Sequence, residues 1–259
     1  MDEVIHLPPH LRMRLCHALD AGLLTVPYSV SGLQSVLGIR EGAEEVVSEL
    51  GRLETSGVSG KGVAELIRAV ERATNRMPKP DVVWSGPEVK GLHARDTRRV
   101  YEQLLGSAKR SVWVSSYAFF DGPRAFDVLA RRMDDTPGLS VMLLLNIQRK
   151  RGDITKSAAL VRKFADRFWA TDWPGSSRPT VFYDPRALDE DGPGGVLHAK
   201  AVVADEETLF VTSANLTEAA LDRNIEVGLL MRDHALAATL SRHFQGLIDC
   251  GLLHPLPFT

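Results

Sequence analysis

The chain is poor in cysteine, has no long apolar run and carries no surplus of positive charge. Its two cysteines, Cys16 and Cys250, stand at opposite ends and form no disulfide framework. The start, Met1-Asp2-Glu3, lacks the basic-then-apolar pattern of a signal peptide. Together these features point to a reducing, cytoplasmic location. No stretch approaches the roughly 18 apolar residues of a membrane span, so no membrane partner is expected. A net charge of -2 at pH 7 argues against a generally basic nucleic-acid coat and leaves room for a local patch. What remains is the composition of an ordinary soluble globular protein, and 259 residues suit one good-sized domain plus a smaller one.

The pattern changes at Pro78-Lys79-Pro80, which cannot continue a helix. Residues 1–77 read as a helical domain. Pro8 and Pro9 open a helix on which Leu11, Leu15, Leu19 and Leu23 recur at helical spacing. Further helices are predicted over 44–53 and 61–74, separated by Gly57 and Gly60. No basic helix suited to reading bases is visible, so this domain reads as a packed bundle. Residues 78–259 alternate strand and helix. Strands are predicted at 82–84, 111–119, 139–146, 180–183, 197–203, 208–212 and 226–231, and helices at 97–106, 124–133, 155–169, 218–221 and 235–250. Asp96 is the expected N-cap of the first of these helices. The alternation predicts an α/β layered domain.

The chemistry concentrates in Leu197-His198-Ala199-Lys200-Ala201-Val202-Val203-Ala204-Asp205 and in Thr212-Ser213-Ala214-Asn215. Residues two apart on a strand face one side. His198 and Lys200 are therefore expected to project together, with Ala199, Ala201 and Val203 on the other, buried face. Ser213 and Asn215 repeat the spacing on the next strand. An imidazole, an ammonium, a hydroxyl and an amide converge in this reading, and the set suits displacement at a phosphodiester. The imidazole attacks phosphorus and forms a covalent intermediate. Lys200, Ser213 and Asn215 stabilise charge on the non-bridging oxygens. Glu226 is expected to hold the far ring nitrogen of His198 and fix its tautomer. No metal or other cofactor is called for. A lone strand histidine is more often a packed core residue than a catalyst, and the company of the other four singles out His198. A lysine in an apolar strand also wants an anionic partner or ligand. Asp205-Glu206-Glu207 by itself reads as a solvated hairpin turn. His93 and His234 lack such company and make no second motif.

His198-x-Lys200, Asp205, Ser213-x-Asn215 and Glu226 resemble the signature of the phospholipase D superfamily. The order of elements from about residue 80 to the end resembles that family's half-domain, a mixed sheet flanked by helices, here preceded by the helical domain. The resemblance implies His198 as nucleophile or general acid, Lys200, Ser213 and Asn215 as phosphate binders, and Asp205 as mainly structural. Thr212 departs from the glycine often found there, which puts the closeness of backbone to phosphate in doubt. The single motif resembles that of bacterial single-motif nucleases, which dimerise so that two histidines share one site, so a homodimer is implied. The helical preface and the run from Val211 to Ala220 are similar to the phospholipase-D-like subgroup of the bacterial DISARM anti-phage systems. That similarity implies other defence-system proteins as partners.

The family fold alone does not choose among lipases, lipid synthases, nucleases and inert relatives. Gln148-Arg149-Lys150-Arg151, followed by Lys156, Arg162, Lys163 and Arg167, concentrates positive charge. Arg149, Lys150, Arg151 and Lys156 are the candidate contacts to a phosphate backbone; a solvated helix face is the alternative. With no amphipathic membrane stripe visible, nucleic acid is the expected substrate. A lipid phosphodiesterase or phosphatidyltransferase, and a non-catalytic subunit binding nucleic acid or protein, stay open. The loop 184–195, with Asp184, Asp189, Glu190 and Asp191 before Gly192-Pro193-Gly194-Gly195, reads either as an acidic gate over the site or as a surface connection.

Overall fold

Leucines at helical spacing build the first of two units, Met1–Met77. The computed structural model describes residues 2–76, 79–88, 90–91, 93–189 and 195–258. Within the first unit these form α1 (Asp2–His6), α2 (Pro9–Asp20), α3 (Val30–Leu37), α4 (Ala43–Thr55) and α5 (Gly60–Arg76). Pro9 sits in the first turn of α2, where a missing N–H is tolerated. Leu11, Leu15 and Leu19 share a core with Val63 and Ile67 of α5, Leu33 and Leu37 of α3, and Val46 and Leu50 of α4. Leu23, expected on the same stripe as Leu19, is exposed because α2 ends at Asp20. The spacing does not foresee α3, which is short and carries Gly32. Its ends hold it: Ser29 Oγ accepts the Gly32 N–H at 3.1 Å, and Gly38 terminates it at φ 74°.

Alternating strands and helices build the second unit, Pro78–Thr259, as the α/β fold expected. It runs β1 (Asp81–Ser85), β2 (Arg95–Asp96), α6 (Thr97–Ser107), β3 (Ser111–Ser116), α7 (Gly122–Asp135), β4 (Ser140–Leu145), α8 (Ser157–Arg167), β5 (Thr180–Tyr183), β6 (Ala201–Ala204), β7 (Thr208–Thr212), α9 (Glu218–Asp222), β8 (Glu226–Met231), α10 (His234–Asp249) and β9 (His254–Pro255). Asp96 caps α6 as expected, accepting from Arg99 N at 2.9 Å. Among the described residues the strands form one sheet in the order β2-β1-β8-β7-β6-β3-β4-β5-β9. β3, β4 and β5 are mutually parallel, as are β1 and β2, while β6 is antiparallel to β3 and β7, β8 to β7 and β1, and β9 to β5. No helix among the described residues is long and apolar enough to cross a membrane.

The side-chain alternation of each strand decides what covers it. On one face Val83, Val114, Leu143, Val202 and Phe210 pack with Val100, Phe126, Leu129 and Val161 from α6, α7 and α8. On the other, Trp113, Leu144, Val203 and Leu209 pack with Ala237 and Phe244 of α10. This second cover is partial. Leu229 of β8 pairs with Val82 of β1 and Val211 of β7, Val227 precedes it by two residues on β8, and all four are exposed. Between them, Gly228 pairs with Thr212 at a place where a Cβ would come within 2.6 Å of the Phe210 ring. The absence of a side chain there lets β8 lie close to β7 where the motif residues emerge.

Candidate active site

Three chain segments meet at one edge of the sheet because β6 runs antiparallel between β3 and β7. Ser115 pairs with Ala201, and Ala201 with Val211, so the end of β3, the start of β6 and the end of β7 lie level. The strand expected over 197–203 begins only at Ala201. Ser115 Oγ donates to the Ala199 carbonyl at 3.0 Å, which takes that group out of the ladder. Ala199 is accordingly exposed and not on a buried face. The expected pairing of His198 with Lys200 survives this change. Lys200 Nζ stands 3.1 Å from His198 Nδ1 and 3.2 Å from Nε2, and donates to the His198 carbonyl at 2.9 Å. His198 is exposed and Lys200 half-buried. Burial holds the Lys200 ammonium below the ordinary lysine range, with the charge of Glu226 pulling the other way.

Ser213, Asn215 and Glu226 reach the same edge, Glu226 with a different partner from the one expected. Glu226 was expected to hold His198. Its carboxylate instead accepts from Ser213 Oγ, and from Asn224 Nδ2 at 3.3 Å. The local cause is the β7–β8 junction, where Val227 N donates to Ser213 Oγ at 3.2 Å and so brings the hydroxyl beside the carboxylate. Asn215 Oδ1 accepts from Ala118 N at 3.2 Å, which leaves its amide nitrogen as the donor group of the side chain. Thr212 fits in place of a glycine because its hydroxyl clips the bend, donating to Val227 O at 3.3 Å and accepting from Ala214 N at 3.1 Å.

Asp205 lies at the opposite end of the hairpin. Asp205 and Glu206 both take left-handed φ, 56° and 55°, in a tight turn closed by Glu207 N on Ala204 O at 3.0 Å. The carboxylate of Asp205 is only partly in solvent. It accepts from the backbone N–H groups of Lys109, Arg110 and Ser111, at 3.0, 2.6 and 3.0 Å. Burial alone pushes this carboxyl up, but the three N–H groups and the charge of Arg110 outweigh it and hold it below the usual carboxylate range.

The basic segment divides in two. Arg149 turns inward: its guanidinium donates to Leu188 O at 2.8 Å, Asp153 O at 2.7 Å and Thr155 O at 2.6 Å. It ties loops together, which the sequence reading as a phosphate contact does not foresee. Lys150, Arg151 and Lys156 are exposed. Lys156 also lines an open groove of about 1070 Å³ with Arg162, Asp166, Tyr183 and Phe258. The loop read as structureless begins as a 3-10 turn, Pro185–Leu188, with Leu188 buried and held by Arg149. Asp184 is likewise buried. Although burial pushes its carboxyl up, bonds from the Arg186 side chain and backbone prevail and hold it below the usual carboxylate range, so its charge is already paired with Arg186. Glu190, Asp191, Gly192, Pro193 and Gly194 lie outside the described residues.

The sequence reading missed Tyr117. Its ring lies 4.7 Å from that of His198, and Gln148 Nε2 donates to its hydroxyl. No local pattern marks it; it is found only once β3 is known to pair with β6.

An imidazole and an ammonium on one strand approach thus meet a hydroxyl and an amide from the end of the next. Residues 101–248 match the family described as cardiolipin synthase, PLD-like domain, and the chain belongs to that family. Cardiolipin synthase B of Salmonella typhi is 26% identical over 212 residues, covering 79% of this chain and 46% of that protein. The chain thus spans less than half the length of this curated relative. Among solved structures, phosphatidylserine synthase of Haemophilus influenzae Rd KW20 shares the fold at TM-score 0.51 and 20% identity, over 74% of this chain and 44% of that one. Nuc of Salmonella typhimurium, a phospholipase D family member, aligns at TM-score 0.45 and 19% identity, over 70% of this chain and 99% of that one.

Proposed function

We propose that the chain is a metal-independent phosphodiesterase that cleaves nucleic acid as a homodimer, with a phosphohistidine at His198. One observation carries the reading: His198 is open to solvent while its ring nitrogens face the Lys200 ammonium, and Ser213 and Asn215 stand at the same sheet edge. A neutral ring nitrogen attacks phosphorus, the N–P bond forms, and the bond to the leaving oxygen breaks. Lys200 and the Asn215 amide take up charge on the non-bridging oxygens. The leaving oxygen takes its proton from His198 of a second copy, and water then cleaves the N–P bond.

The bare apolar strip Val82, Val211, Val227 and Leu229 supports the second copy. Val211 lies two residues before Ser213, and Val227 directly follows Glu226. Covering the strip with its symmetry mate brings two motif edges together. Exposed Lys150, Arg151 and Lys156, and the groove holding Arg162, Tyr183 and Phe258, favour a polyanion with stacking bases as substrate. Membership of an anti-phage system belongs to the same proposal and rests on the resemblance of the helical preface and of residues 211–220.

A second reading, phosphatidyl transfer, is favoured by the match to cardiolipin synthase B across 79% of this chain. It ends the same intermediate on an alcohol in place of water. Purified protein in EDTA, given labelled single- and double-stranded DNA and RNA and, separately, phosphatidylglycerol vesicles, distinguishes the two. Fragmented nucleic acid with wild type and none with His198→Ala is expected. Turnover of the lipid alone selects the second reading. For the dimer, sedimentation at micromolar concentration should give twice the chain mass, and Val227→Glu should give the monomer.

A further inference from the structure

Tyr117 lies beside both His198 and Lys200 without belonging to the motif. It follows β3 directly and is half-buried. Its ring meets the His198 imidazole at 4.7 Å between centroids, tilted by 58°, and the Lys200 ammonium stands 5.7 Å from its ring centroid. Gln148, just past β4, donates to the phenol oxygen and anchors the far end of the ring. The backbone on both sides is fastened to the motif segments. Ser115 Oγ donates to Ala199 O, Ser116 Oγ accepts from Leu216 N at 3.2 Å, and Ala118 N donates to Asn215 Oδ1. The end of β3 is therefore a common base for His198, Lys200 and Asn215.

His198 needs such a base. Glu226 is engaged by Ser213 and Asn224, and among the described residues no carboxylate or carbonyl holds an imidazole nitrogen. An exposed side chain on an extended segment has several staggered wells open to it. Only one orientation places a ring nitrogen in line with a leaving oxygen, and small misplacement is costly in rate. We propose that Tyr117 is a positioning residue for the His198–Lys200 pair. Its ring confines the imidazole to one rotamer and seats the ammonium, and Gln148 fixes the ring. Tyr117 belongs to neither hydrophobic core of this unit, so its removal acts on the site more than on the fold.

The kinetic part of this inference rests on the phosphodiesterase reading, so two measurements are needed. The first compares wild type with Tyr117→Leu, Tyr117→Phe and Gln148→Ala on bis(4-nitrophenyl) phosphate in EDTA, a small diester that needs no docking surface. Tyr117→Leu is expected to lower kcat by about 10- to 100-fold with KM changed by less than about threefold, as lost alignment does. Tyr117→Phe keeps the ring and should recover most of that loss, and Gln148→Ala, which removes the same hydrogen bond, should match Tyr117→Phe. An unchanged kcat in Tyr117→Leu, or an equal loss in Tyr117→Phe, overturns the assignment. The second measurement needs no turnover: 13C relaxation of the His198 Cε1–H group in histidine-labelled protein. An ordered ring in wild type and Tyr117→Phe, and a disordered one in Tyr117→Leu, is expected. A ring equally ordered in all three overturns the positioning role, whatever the kinetics. A wild type inert on every diester but showing the expected relaxation pattern would count against the enzymatic reading and leave Tyr117 in place as the residue that orients His198.

Discussion

The two ends of the β6–β7 hairpin carry residues of one motif and are built in opposite ways. At the turn, Asp205 is ionised, partly buried and supplied with three backbone donors. At the other end, His198 is exposed, and Lys200 is partly desolvated with no carboxylate among the described residues bonded to it. The turn end is finished within the fold. The open end presents an exposed imidazole beside an ammonium, the pair to which the proposed reaction assigns the chemistry. A short strand pair thus separates the group that holds the geometry from the groups that use it, and changes at the two ends should be read by different experiments.

The largest effect is expected from removing the charge at the open end. Lys200→Met should lower kcat/KM by about 10²- to 10³-fold, the scale of losing a preorganised charge on a developing oxyanion. Stability should move the other way. Because the folded-state pKa of Lys200 is lowered, the unfolded chain holds that proton more tightly. The charged lysine therefore costs stability at neutral pH, and the cost fades as pH rises to the ordinary lysine value. Turnover in EDTA beside thermal melts of both proteins checks the pair of signs; a Lys200→Met protein that is both active and less stable would merge the two ends.

At the turn the expectations invert. Asp205→Ala should lower stability by about 2–4 kcal/mol, because it orphans backbone N–H groups that had a charged acceptor. The rate per folded molecule should change little. The folded-state pKa of Asp205 is depressed, so its contribution is present above the unfolded carboxylate value of about 4 and is lost as pH falls through the lower folded one. Urea melts at pH 7 and pH 3 should therefore show a wide gap between wild type and variant at pH 7 and a narrow one at pH 3.

The smallest effect concerns residues away from both ends. Lys150→Gln combined with Arg151→Gln should leave hydrolysis of a small diester intact and reduce the salt slope of nucleic-acid binding by about 1–2. Binding titrations at several salt concentrations read this directly. An unchanged slope would remove these side chains from the path of the phosphate backbone.

What the sequence made legible follows the same division between local and distant causes. β5, β7 and β8 fall at 180–183, 208–212 and 226–231 as predicted, because alternation and flanking turn residues are local signals. The start of β6 was misplaced because a hydroxyl from β3, 84 residues earlier in the chain, claims the Ala199 carbonyl. The partner of Glu226 was misassigned for a similar reason. Spacing places a carboxylate near the motif, but the Ser213 hydroxyl, itself held by Val227 N, decides where it points. Arg149 looked like its basic neighbours and differs from them only through carbonyls brought near by folding. Tyr117 had no signal at all, since its role depends on which strand lies beside β3.

The central claim is a covalent bond between phosphorus and His198. Wild type and His198→Ala are mixed with 32P-labelled oligonucleotide in EDTA and stopped in alkaline detergent, which preserves an N–P bond. Label on the wild-type chain that mild acid removes, and none on His198→Ala, is the predicted result. Equal labelling of both proteins, or cleavage by wild type that starts only when magnesium or manganese is added, would contradict it.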